Sequence, residues 1–341
     1  MSDTNHALWL KAPKDPVMTV DIAPYPSVGP DELIIRTKAV AINPADWRLQ
    51  QLGMLLQKYP AILGCDAAGE VVEVGKTLST KFQTGDRVFG LANMLLGYQY
   101  AGFQEYTVLK LPAVARVPHG ASYEQAVVLP LGVYAAAACL FPKETLCLAV
   151  PPSKAGNGKT LIVWGASSSV GSCGVQLAVA AGYEVFGIAS KANHGMVKGL
   201  GASQCFDHHD SDMVKDVVAQ LQGRNVVGAL DAISQLDTLR RLSEILSTIK
   251  GANKLLASIR PGAEVEAMHG VKIVTNVQAD QQAYGQVASH LWNVFLPAAL
   301  ANEKFQYKPD PEVVGHGLEQ VQAAVDQLSR GVSAKKLIVT L

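Results

Sequence analysis

Residues 160–171 of the chain, TLIVWGASSSVG, decide its fold. The first six residues form an apolar run of the kind that becomes a buried strand, and residues 170–182, VGSCGVQLAVAAG, have the composition of a helix. Glycines and small residues join these two elements. A strand, a tight turn and a helix in this order predict one unit of an α/β fold.

The same alternation continues along the chain to about residue 275. Helical segments separate five further apolar runs: residues 184–189 (EVFGIA), 204–207 (QCFD), 226–233 (VVGALDAI), 253–259 (NKLLASI) and 271–275 (VKIVT). Strands that alternate with helices predict a parallel, doubly wound sheet, which binds its ligand at the carboxyl ends of the strands.

The rest of the chain has a different pattern. Residues 33–116 are short β-branched runs separated by Gly, Pro and Asp, which predicts a small, mostly antiparallel β-domain. A helical stretch at 123–141 and a surface loop at 142–159 follow, and the chain ends with a helix at 318–331 and a strand at 333–341. We therefore predict a β-rich domain over residues 1–122, an α/β domain over 123–290, and a segment over 291–341 that completes the first domain.

Composition narrows the range of functions. In 341 residues, 49% are apolar and 17% charged, and Lys+Arg and Asp+Glu both number 29, so no net field attracts nucleic acid or an anionic membrane. The first residues lack a basic segment followed by an apolar run, and no stretch of about 18 apolar residues without charges occurs elsewhere, which predicts a soluble, cytoplasmic protein. The five cysteines are scattered and are expected to be reduced and mostly buried.

The turn from Gly165 to Gly171 suits a dinucleotide. Backbone N–H groups at a helix N-terminus can face a pyrophosphate, and a glycine at position 171 lets the helix pack closely on the strand. Ala166 and Ser168 stand where the G-x-G-x-x-G fingerprint has its first two glycines, so the match is partial. An ordinary Ser/Gly-rich turn is the alternative.

The end of the second strand indicates which dinucleotide binds. An enzyme that uses NAD places Asp or Glu there to hold the ribose 2′-hydroxyl, whereas this strand ends in Ser190, Lys191, Ala192 and Asn193. A hydroxyl, a cation and an amide can bind a 2′-phosphate, which predicts NADPH rather than NADH. The alternative is that Lys191 is one more solvated surface lysine.

With these features, the chain resembles the zinc-free, quinone-oxidoreductase and enoyl-reductase branch of the medium-chain dehydrogenase/reductase superfamily. Within that branch it is most similar to fungal trans-acting enoyl reductases that partner polyketide synthases. The resemblance extends over nearly the whole chain and rests on these motifs: N-P-A-D at 43–46, GCDAAGEVV at 64–72, GDRVF at 85–89, the loop at 165–171 and SAKKL at 333–337.

The resemblance implies a GroES-like catalytic domain and a Rossmann domain, with NADPH in the cleft between them. The implied cofactor contacts are Ala45, Asp46, Trp47, Arg48, Ser167, Ser168, Ser169, Val170, Gly171, Ser190, Lys191, Ala192, Asn193, His208, Ile259, Arg260, Ser333 and Ala334. His208 stands where relatives carry Tyr. The implied substrate contacts are Leu131, Gly132, Val133, Tyr134 and Ala135, although an Ala-rich core helix is the alternative for most of them.

The residues do not predict a zinc site. Zinc-dependent alcohol dehydrogenases need thiolate and imidazole ligands with one open position. Where those enzymes carry the first cysteine this chain has Asn43, and where they carry the histidine it has Cys65. The pair His208–His209 lacks a third ligand by spacing, so we expect no metal.

Without a metal, hydrogen bonds or a cation must stabilise the developing enolate. Arg48 is the predicted catalytic residue because related fungal enoyl reductases carry Lys there. Its alternative role is an ion pair with Asp46 or with a cofactor phosphate. No catalytic tyrosine can be assigned, since Tyr59 is offset from the position that relatives use.

Three functions remain open at this point. The first is reduction, in trans, of a carrier-bound polyketide alkene, with a polyketide synthase as partner. The second is a stand-alone quinone or 2-alkenal reductase that takes small-molecule acceptors, and the third is a non-catalytic NADPH-binding or partner-binding protein. Both a monomer and a homodimer are compatible with the sequence.

Overall fold

The structure is a computed structural model that describes residues 4–53, 56, 58–275 and 281–341, with only the backbone for 281–284. Its strands, numbered along the chain, are β1 (Asn5–Leu10), β2 (Thr19–Ala23), β3 (Glu32–Ala41), β4 (Ala61–Ile62), β5 (Asp66–Val74), β6 (Arg87–Leu91), β7 (Tyr106–Lys110), β8 (Val114–Arg116), β9 (Lys159–Trp164), β10 (Glu184–Ile188), β11 (Gln204–Phe206), β12 (Asn225–Asp231), β13 (Leu255–Ser258), β14 (Lys272–Thr275), β15 (Asp310–His316) and β16 (Lys335–Thr340).

The α-helices are numbered in the same way. They are α1 (Pro44–Leu52), α2 (Tyr123–Ala126), α3 (Pro130–Leu140), α4 (Ser169–Ala180), α5 (His194–Gly199), α6 (Met213–Leu221), α7 (Leu236–Thr248), α8 (Gln281–His290), α9 (Leu296–Ala301) and α10 (Val321–Ser329). A π-helical turn, Leu291–Phe295, joins α8 to α9, and short 3-10 turns occur elsewhere, including Lys191–Asn193.

The described residues divide into two compact units. Unit 1 comprises the described residues within Met1–Leu131, Leu296–Asn302 and Tyr307–Leu341, and unit 2 comprises those within Gly132–Phe295 and Glu303–Gln306. The sequence predicted divisions after residues 122 and 290. The boundary between the units instead falls inside α3, after Leu131, and at Phe295, because each unit takes up a few residues of the connecting helices.

Unit 2 contains the predicted parallel sheet. Its strand order is β11-β10-β9-β12-β13-β14, and every neighbouring pair is parallel. This is the doubly wound Rossmann order, in which the chain reverses direction across the sheet beside β9. The amphipathic helix α7 turns Leu239, Leu242, Ile245 and Leu246 into the core at helical spacing.

Unit 1 is rich in β-structure, as predicted. Its larger sheet has the order β15-β16-β3-β5-β6-β8, with β7 also paired to β3, and a smaller sheet has the order β2-β1-β4. The predicted C-terminal helix and strand correspond to α10 and β16, and β16 pairs antiparallel with β3. The C-terminal strand therefore returns to the N-terminal domain, as the sequence indicated.

The helical stretch after Ser122 is two helices rather than one. Pro130 has no backbone N–H and suits the first position of a helix, so α3 begins there and α2 ends before it. By length and composition alone, Tyr123–Leu140, which includes the charged Glu124, is long and apolar enough to span a membrane. Of this stretch 72% is buried inside the structure, as is usual for a core helix.

The predicted loop at 142–159 forms no helix or strand before β9 begins at Lys159, but it does not lie wholly on the surface. Leu146 and Leu148 are buried, whereas Cys147 between them is exposed. All five cysteines are free, and three of them are buried. The prediction of reduced, mostly buried thiols therefore agrees with the structure.

Candidate functional site

The glycine-rich turn joins β9 to α4 in unit 2. Gly165 has a φ of 70°, and Ser168 caps α4 by accepting a hydrogen bond at Oγ from the N–H of Gly171 (3.1 Å). A Cβ added at Gly171 would lie 2.0 Å from the carbonyl oxygen of Gly165. Only glycine permits this packing of helix on strand, which is the role of the last glycine in a dinucleotide fingerprint. Ser169 and Val170 form the first turn of α4.

The segment after β10 lies beside this turn. Nδ2 of Asn193 donates to Oγ of Ser167 (3.3 Å), which joins the two stretches that the sequence assigned to the cofactor. Ser190 precedes the 3-10 turn Lys191–Asn193, and Lys191 and Ala192 are exposed. Among the residues that the structure describes, none forms an ion pair with Lys191, so its ammonium group is available to an anion.

His208 follows the next strand, β11. The centroid of its ring lies 4.0 Å from that of His209, with the two ring planes tilted by 38°, and burial lowers the pKa of His208. Within the described part of the chain, one group of three potential metal ligands occurs, Asp207, His208 and His209, with ligand atoms within 4.8 Å of one another. The expectation that the histidine pair lacks a third ligand is therefore wrong. His209 is exposed, and Oδ1 of Asp207 already accepts the N–H of His209 at 3.0 Å.

A buried network fixes the loop that carries Ile259 and Arg260. Asp231 accepts the N–H of Ser234 (2.8 Å), and Oγ of Ser234 in turn accepts the N–H of Ile259 (3.1 Å) and the hydroxyl of Ser258 (2.8 Å). Ser234 holds a φ of 58°, a conformation that non-glycine residues seldom adopt and that concentrates at functional sites. Nε and Nη2 of Arg260 are buried and make no hydrogen bond, but Nη2 forms an ion pair with Oε1 of Glu266 at 3.6 Å.

The part of α3 that belongs to unit 2, from Gly132 onward, contacts the same region of that unit. A Cβ added at Gly132 would lie 2.9 Å from the carbonyl oxygen of Ser169, so α3 packs directly on the first turn of α4. Val133 and Ala135 are buried in the core, as the alternative of a core helix predicts. Tyr134 is partly exposed, and desolvation raises the pKa of its hydroxyl.

In unit 1, helix α1 carries the N-P-A-D motif. Asn43 caps the helix, and its N–H donates to Oδ2 of Asp46 (2.7 Å). Asp46 is fully buried, whereas the guanidinium of Arg48 lies 5.3 Å from the ring centre of Trp47. Among the described residues, Arg48 has no ion-pair partner, so an Arg48–Asp46 pair is not formed. Ala45 is partly buried against the core of the unit.

A buried polar cluster, which we call the Lys336 cluster, lies beneath α1 and consists of Asn43, Asp46, Asp66 and Lys336. Oδ2 of Asp66 accepts from Nδ2 of Asn43 (2.7 Å) and lies 2.9 Å from Nζ of Lys336. Nζ of Lys336 also donates to Oδ1 of Asn43. The other oxygen of Asp66 accepts the N–H of Leu131 at 2.6 Å, which fixes the first turn of α3. Burial raises the pKa of Asp46 to about 7.

This cluster does not fit a catalytic zinc ion. The positions that the sequence compared with zinc ligands hold an amide, Asn43, and a buried thiol, Cys65. Burial raises the pKa of that thiol well above its usual range, which disfavours the thiolate that zinc needs. The ammonium group of Lys336 donates to Asn43 and Asp66 in the same cluster. The ammonium of Lys336 therefore already supplies the positive charge of this cluster.

The last predicted contacts precede β16. Ser333 is exposed, and Ala334 has a φ of 51°, again unusual for a residue with a Cβ. Unit 1 therefore contains the predicted contacts on α1 together with Leu131, Ser333 and Ala334. Unit 2 contains the other predicted contacts.

A nicotinamide dinucleotide fits unit 2. The turn after β9 places backbone N–H groups at the start of α4, where an anion is favoured. Asn193 holds that turn to the segment that carries Lys191, which has no ion-pair partner among the described residues. Nε of Arg260 is buried and makes no hydrogen bond, and Nη2 lies 3.6 Å from Oε1 of Glu266. Asp231, Ser234 and Ser258 were not predicted as part of the site. An Asp at the end of a strand followed by Ser three residues later is a pattern from which the contact between Asp231 and Ser234 could have been predicted.

Comparisons with known proteins agree with this architecture. The family described as alcohol dehydrogenase GroES-like domain matches residues 29–119. The chain is 38% identical to the dehydrogenase pigH of Monascus ruber over 99% of this chain and 100% of that protein. It is 37% identical to the trans-enoyl reductase himH of Aspergillus japonicus over 99% of this chain and 97% of that protein. The crystal structure of CurK enoyl reductase has the same fold, with a TM-score of 0.76 at 20% identity and 99% of each chain covered.

Proposed function

Because the chain belongs to the medium-chain dehydrogenase/reductase family, we propose that it is an NADPH-dependent reductase that transfers hydride to a conjugated C=C bond of an enoyl thioester or enone. The observation that carries this proposal is the 37% identity to a trans-enoyl reductase over nearly the full length of both chains. The quinone or 2-alkenal reductase and the non-catalytic binding protein are tested as alternatives below.

The cofactor supplies the hydride, and the protein's part is to bind and orient it. The N-terminus of α4 would receive the pyrophosphate, and Gly171 lets α4 pack closely enough on β9 to form that site. Ser190, Lys191 and Asn193 would hold the 2′-phosphate with a hydroxyl, a cation and an amide, and the segment 189–193 after β10 carries no carboxylate that would repel it. Arg260, whose Nη2 forms an ion pair with Glu266, would offer Nε from the loop after β13.

Arg48 acts on the substrate. Its guanidinium has no carboxylate partner among the described residues and rests on the face of Trp47, which limits its motion. It donates to the carbonyl oxygen of the enoyl group, where negative charge develops as hydride adds to the β-carbon. The reaction uses no zinc, because Asn43 and the buried thiol of Cys65 stand where zinc enzymes carry ligands and the ammonium of Lys336 donates to Asn43. A carrier-bound acyl chain, presented by a polyketide synthase, is the proposed natural substrate.

An acceptor panel tests the substrate class. NADPH oxidation is followed with a 2-enoyl pantetheine thioester, a carrier-bound 2-enoyl chain, a free enone and a quinone at equal concentration. We expect the highest kcat/KM with the thioesters, and a higher value for the carrier-bound chain than for pantetheine. Preference for the quinone would establish the stand-alone reductase instead. No turnover of any acceptor, with NADPH bound, would indicate a binding protein.

Lys191 is expected to set the choice of cofactor. The intact protein should bind NADPH at least about tenfold more tightly than NADH, a margin that needs about 1.4 kcal/mol from contacts with the 2′-phosphate. Lys191→Ala should erase most of this margin by weakening NADPH alone. Lys198→Ala, which removes an exposed lysine of α5, is the matched control and should leave both affinities unchanged. Fluorescence titration with each cofactor measures the effect, and equal affinities in the intact protein would refute the assignment.

A further inference from the structure

Three potential metal ligands follow β11 in unit 2, and we call Asp207, His208 and His209 the 207–209 triad. Their ligand atoms lie within 4.8 Å of one another, and no other group of three such ligands occurs in the part of the chain that the structure describes. Ligand atoms about 2.0–2.1 Å from a tetrahedral zinc ion lie about 3.4 Å from one another. Small rotations of these side chains would therefore bring the three ligands to coordination distance.

The backbone of the loop is held while the ligand atoms remain available. Oδ1 of Asp207 accepts the N–H of His209 at 3.0 Å, and Nη1 of Arg241 donates to the carbonyl oxygen of His208 at 3.2 Å. The second carboxylate oxygen of Asp207 accepts no hydrogen bond from any described residue. The ring of His209 is exposed, so it can turn toward a metal ion.

The protonation of the ligands also suits a metal. The N–H of His209 lowers the pKa of Asp207, which keeps the carboxylate charged, and burial lowers the pKa of His208, which keeps its ring neutral near pH 7. The backbone of Ala189 offers a hydrogen-bond acceptor to that ring. Histidine ligands of metals usually donate one ring N–H to such an acceptor, which leaves the other ring nitrogen to coordinate the ion.

The charges around the 207–209 triad favour a cation. Among the residues with described positions, no Lys or Arg forms an ion pair with Asp207. The guanidinium of Arg241, which acts on His208, is itself paired with Asp237, with 3.0 Å between Nε and Oδ2. A divalent ion would therefore meet a carboxylate that no cation in the described protein compensates.

We propose that the 207–209 triad binds one Zn²⁺ ion through the second oxygen of Asp207 and one ring nitrogen each of His208 and His209, with water in the fourth position. Two imidazoles and a carboxylate suit zinc, whereas Mg²⁺ and Ca²⁺ prefer oxygen ligands alone. The ion lies at the surface of unit 2 and takes no part in hydride transfer. Its binding needs neither cofactor nor acceptor, so it stands or falls separately from the proposed function.

Calorimetric titration of reduced protein, purified without a histidine tag, with Zn²⁺ tests the proposal. We expect one equivalent in the intact protein. His209→Asn should weaken the affinity for Zn²⁺ by at least about 100-fold, since loss of a group that only orients a ligand already costs about 10- to 100-fold. His119→Asn and Cys147→Ser are the controls, which remove an exposed histidine of unit 1 and the exposed thiol. Both should bind Zn²⁺ as the intact protein does.

A second variant and a spectrum identify the ligands. Asp207→Asn keeps an oxygen for the N–H of His209 but removes the charge, and it should bind Zn²⁺ at least about tenfold more weakly. X-ray absorption at the zinc edge should show nitrogen and oxygen at about 2.0–2.2 Å and no sulfur at about 2.3 Å. Circular dichroism without metal checks that each variant is folded.

Three results would overturn the proposal. The first is an intact protein that binds no Zn²⁺. The second is equal affinity for Zn²⁺ in the intact protein and in folded His209→Asn or Asp207→Asn, which would place the ion elsewhere. The third is sulfur among the zinc ligands, because the 207–209 triad contains none.

Discussion

Gly171→Ala should weaken NADPH binding by about 100-fold. The added Cβ would lie 2.0 Å from the carbonyl oxygen of Gly165 and 2.7 Å from its carbonyl carbon, and backbone atoms cannot move aside as a flexible side chain can. The first turn of α4 must therefore shift away from β9 and take its N–H groups with it. Overpacking of this kind costs about 1–3 kcal/mol, and the upper end corresponds to about 100-fold in affinity.

Gly195→Ala is the control for this substitution. Gly195 lies in α5 of the same unit, and a Cβ there would meet nothing within 4 Å. Its affinity for NADPH should match that of the intact protein, measured by the same fluorescence titration. If Gly171→Ala binds NADPH as tightly as Gly195→Ala, the turn after β9 is not the pyrophosphate site.

Arg48→Met should lower the rate of hydride transfer by roughly 10- to 100-fold and leave NADPH affinity nearly unchanged. Only an interaction that is stronger in the transition state than in the ground state affects this step. The partly exposed guanidinium is expected to contribute less than a fully buried oxyanion-hole donor, whose removal costs about 100- to 1,000-fold. Single-turnover measurements at saturating NADPH isolate the hydride step.

Two further variants define how Arg48 acts. Arg48→Lys should keep most of the activity, because Lys supplies the charge without the planar fork. Arg36→Met removes an exposed arginine of β3 and should have no effect. A loss of NADPH affinity in Arg48→Met, with a normal single-turnover rate, would assign Arg48 to the cofactor. If Arg48→Met keeps both a normal single-turnover rate and a normal affinity for NADPH, Arg48 has no role in the mechanism.

Sequence alone predicted the α/β unit well because its strands are buried apolar runs. All six strands of the parallel sheet occur where such runs were found, within a few residues at each end. The division of 123–141 into two helices was not predicted, since helical composition continues through Pro130. The buried part of the loop at 142–159 was missed because its Pro, Gly and Lys residues indicate a surface loop, whereas Leu146 and Leu148 pack through tertiary contacts.

The candidate site shows a similar division. Local motifs identified the turn at 165–171 and the segment after β10, which are each contiguous in sequence. The role of Lys336 could not be predicted from its neighbours, because its partners Asn43 and Asp66 are distant in sequence and meet it only through the pairing of β16 with β3. The contact of Ser234 with Ile259 could not be predicted either, because the two residues are 25 positions apart in sequence.

Transfer of deuterium tests the central claim most directly. NADPH deuterated at the transferable C4 position is incubated with the protein and a 2-enoyl thioester, and the saturated product is analysed by mass spectrometry and NMR. The proposed function predicts one deuterium in each product molecule, bonded to the β-carbon, with a proton from solvent at the α-carbon. A saturated product without deuterium at the β-carbon, or no product while NADPH is oxidised, would contradict it.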